Sequence, residues 1–251
     1  MSGRPTLRID WASHKAAMHA VTHWHYTGSM PPGARVTLGA WEDDTYVGCI
    51  VFARGASRNL LRPYRLKQTE GCELVRVAMR QHATPISRMM RFAFKHLKQH
   101  APSMRLIVSF ADPAQGHHGG IYQAGGWIYA GQTNPTKMFR GPDGKLWHNR
   151  MVSVSGQSRV YGKVRCVLRP SQCEIVNMPG KHRYLMPLDR EMRQRVASLS
   201  KPYPPASVGS ADSGTLPVQG RGGGASPTST LQPCNISEMS AATRKSVLAN
   251  G

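Results

Sequence analysis

The chain has 251 residues, with 33 lysines and arginines against 13 aspartates and glutamates, which gives a formal net charge of +20 at pH 7. A solvated surface does not need this excess, and its usual physical reason is a polyanionic partner, nucleic acid before membrane. A membrane-spanning helix is excluded because no run of about 18 apolar residues is present. The first residues also lack the apolar core of a signal peptide.

The five cysteines are scattered along the sequence, and none of them forms a C-x-x-C pair. An odd number without metal-binding spacing favours free thiols in a reducing cytoplasm over a zinc knuckle. We therefore expect a cytoplasmic protein.

The first 80 residues predict a helix within a largely β-rich stretch. The helix runs from about Ser13 to His23, with Ser13 as its N-cap. A basic loop occupies residues 54–69. Strand patterns lie at Thr6–Ile9, Val36–Trp41, Tyr46–Phe52 and Glu73–Met79, and the second and third of these form a hairpin by their spacing.

A second helix is predicted to begin at Thr84–Pro85, with Thr84 as N-cap and Pro85 at the first helical position. Its apolar residues recur at the three-four spacing of a buried stripe. The opposite face carries the cations Arg88, Arg91, Lys95 and Lys98.

The stretch RLIVSFADPAQGHHGGIYQAGGWIYAG predicts a strand, a polar loop, a short helix and a second strand. After the buried strand Leu106–Phe110, Asp112, His117, His118 and Tyr122 lie within eleven residues. In α/β proteins a loop of this kind places reactive side chains at the carboxyl end of a strand. We therefore expect the chemistry here.

The remaining sequence predicts weaker elements and then a tail. Strand candidates lie at Met151–Val154 and Val164–Leu168, and a short basic helix at Asp189–Leu199. Beyond these the composition turns to Pro, Ser, Gly and Thr, which cannot bury enough apolar surface to offset the entropy of ordering. We expect one catalytic domain over residues 1–198 and a disordered tail over 199–251.

The order of the predicted elements resembles the GCN5-related N-acetyltransferase (GNAT) fold. This order is a hairpin, a strand with E-L-x-R-V, a helix, a strand, and a strand with Y-x-x-x-G-W. The phrases HWHYTGSMP, CELVRVAM, SFADPAQGHHGGIYQAGGWIY and KHRYLMPLD together resemble the Mom family of phage DNA-modification proteins, over about residues 20–200. The resemblance implies an α/β, GNAT-like fold, with a mixed sheet flanked by helices.

The Mom resemblance implies an acyltransferase-like enzyme that acts on adenine N6 in double-stranded phage DNA, in the host bacterial cytoplasm. Its product would be N6-methylcarbamoyladenine, which shields the DNA from host restriction. The resemblance also implies acetyl-CoA as the acyl source, and bound iron. Two alternatives stay open: an ordinary GNAT acetyltransferase acting on a protein or small-molecule amine, and a non-catalytic basic DNA-binding protein.

Two candidate catalytic residues lie in the central stretch. Tyr122 matches the GNAT tyrosine that protonates the departing thiolate as a general acid, and the alternative is a core tyrosine. Asp112 directly follows a buried strand, where a carboxylate is costly without a partner. The alternative for Asp112 is a turn that its side chain caps before Pro113.

Two further candidates, His25 and Tyr26, belong to the HWHY phrase. His25 is a candidate general base or metal ligand, and Tyr26 a candidate ligand or a ring that stacks on a flipped adenine. With Asp112 and His118 they would satisfy the ligand preferences of a non-haem iron. The spacing alone does not demonstrate such a site.

Cofactor binding is expected at the start of the second helix. GNAT enzymes bind the CoA pyrophosphate with a glycine-containing turn at this point, whereas the stretch RQHATPISR has no glycine. Backbone amides at a helix N-terminus can still bind an anion, assisted by Thr84, Ser87 and Arg88. Arg76, on the preceding strand, is a candidate for holding phosphate or the acyl carbonyl, with a structural salt bridge as the alternative.

DNA contacts are expected from the basic loop and from the basic face of the second helix. Each neutralised phosphate adds salt-dependent affinity, and a merely solvated face is the alternative for any single cation. Adenine N6 is paired in duplex DNA, so the enzyme would flip the base or act when the base pair opens. The candidate DNA-binding residues are Arg54, Arg58, Arg62, Arg65, Arg91 and Lys95.

Overall fold

The computed structural model of the protein describes residues 3–33, 35–55, 57–160 and 162–205. The tail predicted over 199–251 lies outside the described residues from 206 onward. The helices are α1 (His14–Trp24), α2 (Ile86–His100), α3 (Gly120–Ala124) and α4 (Arg190–Ala197). The strands are β1 (Leu7–Trp11), β2 (Arg35–Glu42), β3 (Thr45–Ala53), β4 (Gly71–Met79), β5 (Leu106–Ala111), β6 (Ile128–Gln132), β7 (Thr136–Arg140), β8 (Leu146–His148), β9 (Gln157–Val160), β10 (Lys163–Cys166), β11 (Glu174–Met178) and β12 (His182–Pro187).

A seven-stranded mixed sheet in the order β1-β2-β3-β4-β5-β12-β6 forms the framework. All neighbours are antiparallel except β4 and β5, which pair in parallel and are connected through α2. The parallel ladder runs from Gly71 opposite Leu106 to Leu74 opposite Ser109, although β4 continues to Met79. The predicted α/β class, a mixed sheet flanked by helices, is confirmed.

Helix α2 packs on this sheet through the predicted apolar stripe. Burial of each such side chain contributes about 1.5–3 kcal/mol, more than a capping interaction does. Packing therefore holds α2 even though its N-cap, Pro85 rather than the predicted Thr84, makes no side-chain capping bond. At 15 residues α2 is the longest described helix, and no helix in the described ranges is long and apolar enough to cross a membrane. The buried stripe is Ile86, Met89, Met90, Ala93 and Leu97.

Other local predictions show which sequence signals were reliable. Ser13 is the N-cap of α1, as predicted, and its hydroxyl accepts a hydrogen bond from the Ala16 amide at 3.2 Å. The predicted strand Met151–Val154 is wrong, because a 3-10 turn at Asn149–Met151 leads into an isolated bridge at Val152. Local capping chemistry was readable from the sequence, whereas a short apolar run without a partner strand was not.

The described residues form two compact units. The first comprises residues up to Thr136 and from Pro179 onward, and it holds the seven-stranded sheet and the four described helices. The second, Lys137–Met178, contributes the three-stranded sheet β11-β7-β8, apart from the first residue of β7, and the β9–β10 hairpin. The sequence did not reveal the second unit. The domain boundary at residue 198 stays a prediction.

The cysteines only partly follow the expectation of free thiols. Cys49, Cys72 and Cys173 are free, and burial raises the pKa of both Cys49 and Cys72 to about 12. These two thiols are therefore protonated at neutral pH and poor nucleophiles. Cys166 takes part in a disulfide, which its spacing in the sequence did not predict.

An ion pair ties α4 to the start of β5. Arg105 donates from Nε and Nη2 to the two carboxylate oxygens of Asp189, at 2.9 and 3.1 Å, and Nη2 also contacts Glu191 at 2.8 Å. Asp189 is in addition the N-cap of α4, accepting from the Met192 amide at 2.7 Å. The hydrogen bond from Arg105 is the main reason why the pKa of Asp189 falls to about 2.

We expect Asp189→Ala to lower the free energy of unfolding at pH 7 by about 1–3 kcal/mol, because both the cap and the ion pair are lost. The folded-state pKa is depressed, so the ionic contribution is complete above the unfolded pKa and is lost as the pH falls through the folded value. The deficit should therefore shrink by roughly half between pH 7 and pH 3 in urea unfolding. Asp189→Asn, which keeps the cap, should show a smaller deficit, and a deficit constant with pH would contradict this account.

Candidate functional site

His25 and Tyr26 lie where α1 ends. His25 is the C-cap of α1 with an extended backbone, which turns the chain away from the helix axis. Its Nδ1 accepts the Thr27 amide at 3.2 Å and lies 2.9 Å from the Thr27 hydroxyl. A backbone amide can only donate, so the ring proton of neutral His25 is on Nε2. His25 therefore presents a donor, not a base, at its other nitrogen.

Aromatic contacts join the end of α1 to the loop after β5. The Tyr26 ring lies 4.4 Å from the His25 ring and 5.1 Å from the His117 ring, measured between centroids. Tyr26 keeps 42% of its surface exposed. Two sequence phrases that are about 90 residues apart thus form one site, with an accessible aromatic ring between them.

Burial and neighbouring charge keep both side chains uncharged. Burial, then the positive charge of Arg76 and of His117, lowers the pKa of His25 to about 3. Burial raises the pKa of the Tyr26 phenol, although Lys181 acts against this shift. At neutral pH the site therefore has a neutral imidazole, which is a weak base, beside a protonated phenol.

Arg76 reaches this group from β4. Its guanidinium donates to the Ser29 carbonyl at 3.3 Å and to the Val75 carbonyl at 2.7 Å, and burial lowers its pKa. The first of these bonds fastens the segment after Tyr26 to β4. The structure thus gives Arg76 a positioning role, and its expected contact with phosphate or an acyl carbonyl stays a prediction.

Asp112 has two partners in the structure. One carboxylate oxygen accepts the Ala114 amide at 3.1 Å, as the alternative reading of a capped turn predicts. The other lies 2.9 Å from the Lys181 ammonium. The sequence analysis did not identify Lys181 as a site residue, although the KHRYLMPLD phrase contains it. It reaches Asp112 because the next residue, His182, pairs with Ala111 in the β12–β5 ladder.

The predicted iron ligands do not fit a bound metal ion in this arrangement. Among the described residues, no group of three or more His, Cys, Asp or Glu side chains is placed to hold one. The Lys181 ammonium contacts the Asp112 carboxylate and so occupies the position that a metal cation would need. His25 has its Nδ1 engaged by Thr27.

Tyr122 lies where the β4–β5 ladder ends. Its phenol oxygen is 2.8 Å from the Ser109 hydroxyl, which is itself 2.8 Å from the Leu74 carbonyl. The serine has one proton, so it donates to only one of these two oxygens at a time. Tyr122 is also buried, with its ring 4.9 Å from that of Trp127. Its burial agrees with the alternative of a core tyrosine, and the general-acid role of Tyr122 stays a prediction.

The structure requires a glycine at position 119, in the loop that carries the two histidines. Its φ of +93° is a conformation that side chains disfavour, and an added Cβ would come within 2.3–2.6 Å of the Tyr184 ring. The Tyr184 hydroxyl in turn donates to the His118 carbonyl. The loop that carries His117 and His118 is therefore pinned to β12 by close contact.

An internal carboxylate lies on the amides before α2. Glu42, the last residue of β2, is only 9% exposed and accepts from the Ala83 amide at 3.0 Å and the Thr84 amide at 2.5 Å. Burial raises its pKa, but hydrogen bonds from Ala83 and Thr84 outweigh this and leave the pKa below its usual value. Two amides in the region expected to bind the CoA pyrophosphate are thus engaged. The cofactor roles of Thr84, Ser87 and Arg88 stay predictions.

The six candidate DNA-binding cations share one property in the structure, which is exposure. This agrees with phosphate contact and equally with a solvated face, so the assignment stays a prediction. The exposed residues are Arg54, Arg58, Arg62, Arg65, Arg91 and Lys95.

Comparison with known proteins identifies relatives that match most of the chain. Residues 6–205 match the sequence model of the Mom protein family. Methylcarbamoylase mom of Escherichia phage Mu is 25% identical over 212 residues, which cover 80% of this chain and 85% of that protein.

Solved structures give weaker likenesses. FeeM, an N-acyl amino acid synthase from uncultured soil microbes, is 12% identical with a TM-score of 0.41, covering 77% of this chain and 97% of its own. An N-acetyltransferase from Staphylococcus aureus is 8% identical with a TM-score of 0.39, covering 73% and 98%.

We expect the His25 ring to stay neutral down to about pH 4, because its pKa lies near 3. Histidine ring signals should be followed by NMR from pH 8 to pH 4.5, with His25 assigned by its loss in His25→Gln. The signal should not move near pH 6.5, and nitrogen shifts should show the proton on Nε2. Titration of His25 between pH 6 and pH 7 would refute the assignment.

We expect Glu42→Ala to lower the free energy of unfolding by about 1–3 kcal/mol, because two amides lose their acceptor. Glu42→Gln keeps one acceptor oxygen and should lose less. Urea unfolding at pH 7 measures both, with Asp44→Asn in the neighbouring exposed turn as the control. Equal stability of wild type and Glu42→Ala would show that these amides find other partners.

Proposed function

The chain belongs to the Mom protein family, and we propose that it is an enzyme of the transferase type that modifies adenine N6 in double-stranded phage DNA. The proposed product is N6-methylcarbamoyladenine, in keeping with the name of the phage Mu relative, a methylcarbamoylase. The modification would protect the DNA from restriction in the host bacterial cytoplasm. The observation that supports this most is the meeting of His25, Tyr26, Asp112 and His117 in one site within a family member.

The site suits a neutral base better than an anion or an ammonium. Adenine N6 is paired in duplex DNA, so the base must leave the stack to react. The exposed Tyr26 ring offers a stacking surface, and the Nε2 proton of His25 offers a donor to an acceptor atom of the base. A neutral imidazole beside a protonated phenol avoids placing an uncompensated charge against an uncharged ring.

Asp112 is the group in the site that can accept from the amino nitrogen. Adenine N6 is a weak nucleophile because its lone pair is delocalised into the ring. A carboxylate that accepts one N6–H increases electron density on nitrogen and can take the proton as the new bond forms. Its contact with Lys181 at 2.9 Å, and with the Ala114 amide, fixes its orientation.

Tyr122 and the split between β4 and β5, which is the gap beyond the last paired residues of the two strands, are suited to a second substrate. We propose that this substrate is an acyl-CoA, with acetyl-CoA as the expected donor. The ladder stops at Leu74 and Ser109, and the Tyr122 phenol lies at this point within hydrogen-bond distance of the Ser109 hydroxyl. A phenol here can protonate a departing thiolate. Acetyl transfer alone would yield N6-acetyladenine, because the methylcarbamoyl group contains one nitrogen more, which a nitrogen donor other than acetyl-CoA would have to supply. The mass of the product therefore separates simple acetylation from methylcarbamoylation.

We expect plasmid DNA from cells that express the wild type to contain a deoxyadenosine heavier by about 57 mass units, and Asp112→Ala to reduce it at least about 100-fold. Nucleoside mass spectrometry of digested DNA measures both. Asp10→Ala, an exposed carboxylate of β1, is the matched control and should leave the product unchanged.

A product heavier by only about 42 mass units would establish plain acetylation of the base instead. If the wild type is well expressed and folded but the DNA stays unmodified, the proposed function is wrong. The ordinary acetyltransferase and the non-catalytic DNA-binding protein would then remain as alternatives. Full product from Asp112→Ala would remove Asp112 from the chemistry while leaving the overall function standing.

A further inference from the structure

The second unit, Lys137–Met178, holds a disproportionate share of positive charge. It contains eight lysines and arginines and two acidic residues, so nearly a third of the net charge lies in about a sixth of the chain. None of its residues was singled out as a DNA contact by the sequence patterns, and none belongs to the candidate site. Its charge therefore needs an explanation of its own.

Local ion pairs do not neutralise this charge. The two carboxylates of the unit are already engaged, Glu174 with Arg140 at 3.2 Å and Asp143 with Lys145 at 3.2 Å. The other six cations find no unengaged carboxylate within the described residues of the unit. These cations are Lys137, Arg150, Arg159, Lys163, Arg165 and Arg169.

The β9–β10 hairpin carries three of the six. Lys163 and Arg165 lie two residues apart on β10 and so project to one face, whereas Arg159 on β9 pairs with Val164 and so projects to the other face. Arg159 and Lys163 are exposed, and Arg165 is half-buried. A two-stranded β-ribbon is narrow enough to enter the major groove of DNA, which is about 12 Å wide.

We propose that the unit Lys137–Met178 is a docking module for double-stranded DNA, and that its β9–β10 hairpin contacts the phosphate backbone. The proposal rests on the proposed function, because DNA is the polyanion on which that function acts. The module would hold the duplex while the site in the other unit takes up the base. Phosphate contacts position a protein without reading sequence, so the hairpin contributes affinity common to all duplexes.

The test uses the full chain, a labelled duplex of about 20 base pairs and fluorescence anisotropy between 50 and 300 mM salt. Replacing Arg159, Lys163 and Arg165 together by Gln should lower the steepness of log Kd against log salt by about 2–3, and weaken binding about 10–100-fold at 150 mM. The matched control replaces three ion-paired cations, Arg140, Lys145 and Arg195, by Gln. It changes the net charge equally and should alter the salt dependence by less than about half as much.

Equal effects of the two triple variants would overturn the proposal, because net charge alone would then explain binding. Tighter binding of a duplex RNA than of the DNA would overturn the choice of partner. Circular dichroism and the unfolding midpoint establish that each variant is folded, and Arg159→Gln with Lys163→Gln, both exposed, gives a second variant with an expected loss of about 2 in the same slope.

Nucleoside mass spectrometry separates this proposal from the proposed function. If the wild type binds duplex DNA through the hairpin but leaves adenine unmodified, the docking module stands and the chemistry falls. If adenine is modified equally by the wild type and by the hairpin variant at low enzyme concentration, the chemistry stands and the module falls.

Discussion

The position of β5 between β4 and β12 is the constraint on which the candidate site depends. Its parallel pairing with β4 ends at Ser109, whose hydroxyl links the Leu74 carbonyl to Tyr122. Its antiparallel pairing with β12 sets His182 opposite Ala111 and so delivers Lys181 to Asp112. A shift of either ladder by one residue would turn these side chains to the opposite face of the sheet. Hydrogen bonds of the backbone therefore set the geometry of the side chains.

Charge is distributed so that the surface and the site have different tasks. The excess of cations suits a polyanion at the surface, where each phosphate contact releases counterions. In the site, burial and the nearby charge of Arg76 keep His25 neutral, and burial keeps Tyr26 protonated. The proposed substrate, a flipped adenine, is an uncharged, polarisable ring that would suit this environment. The phosphates of the proposed duplex would stay with the cations outside.

Features set by neighbours in sequence were predictable, and features set by long-range register were not. The Ser13 cap and the stripe of α2 follow from local chemistry, and the loop with Asp112 was recognisable from its density of polar residues. Lys181 is 69 residues from Asp112, and Glu42 is about 40 residues from the amides that it caps. No periodicity encodes such pairs, because they exist only once the strands have aligned.

The missing glycine before α2 has a structural counterpart in Glu42. A glycine-containing turn leaves amides open to a phosphate, whereas here the Ala83 and Thr84 amides already donate to a buried carboxylate. A diphosphate approaching the same amides would meet that negative charge, which opposes its binding. Attraction for a CoA diphosphate at this end of α2 would then depend more on side chains such as Ser87 and the exposed Arg88. Binding of an acyl-CoA would therefore depend more on contacts of its pantetheine chain in the split between β4 and β5 than on contacts of its phosphates.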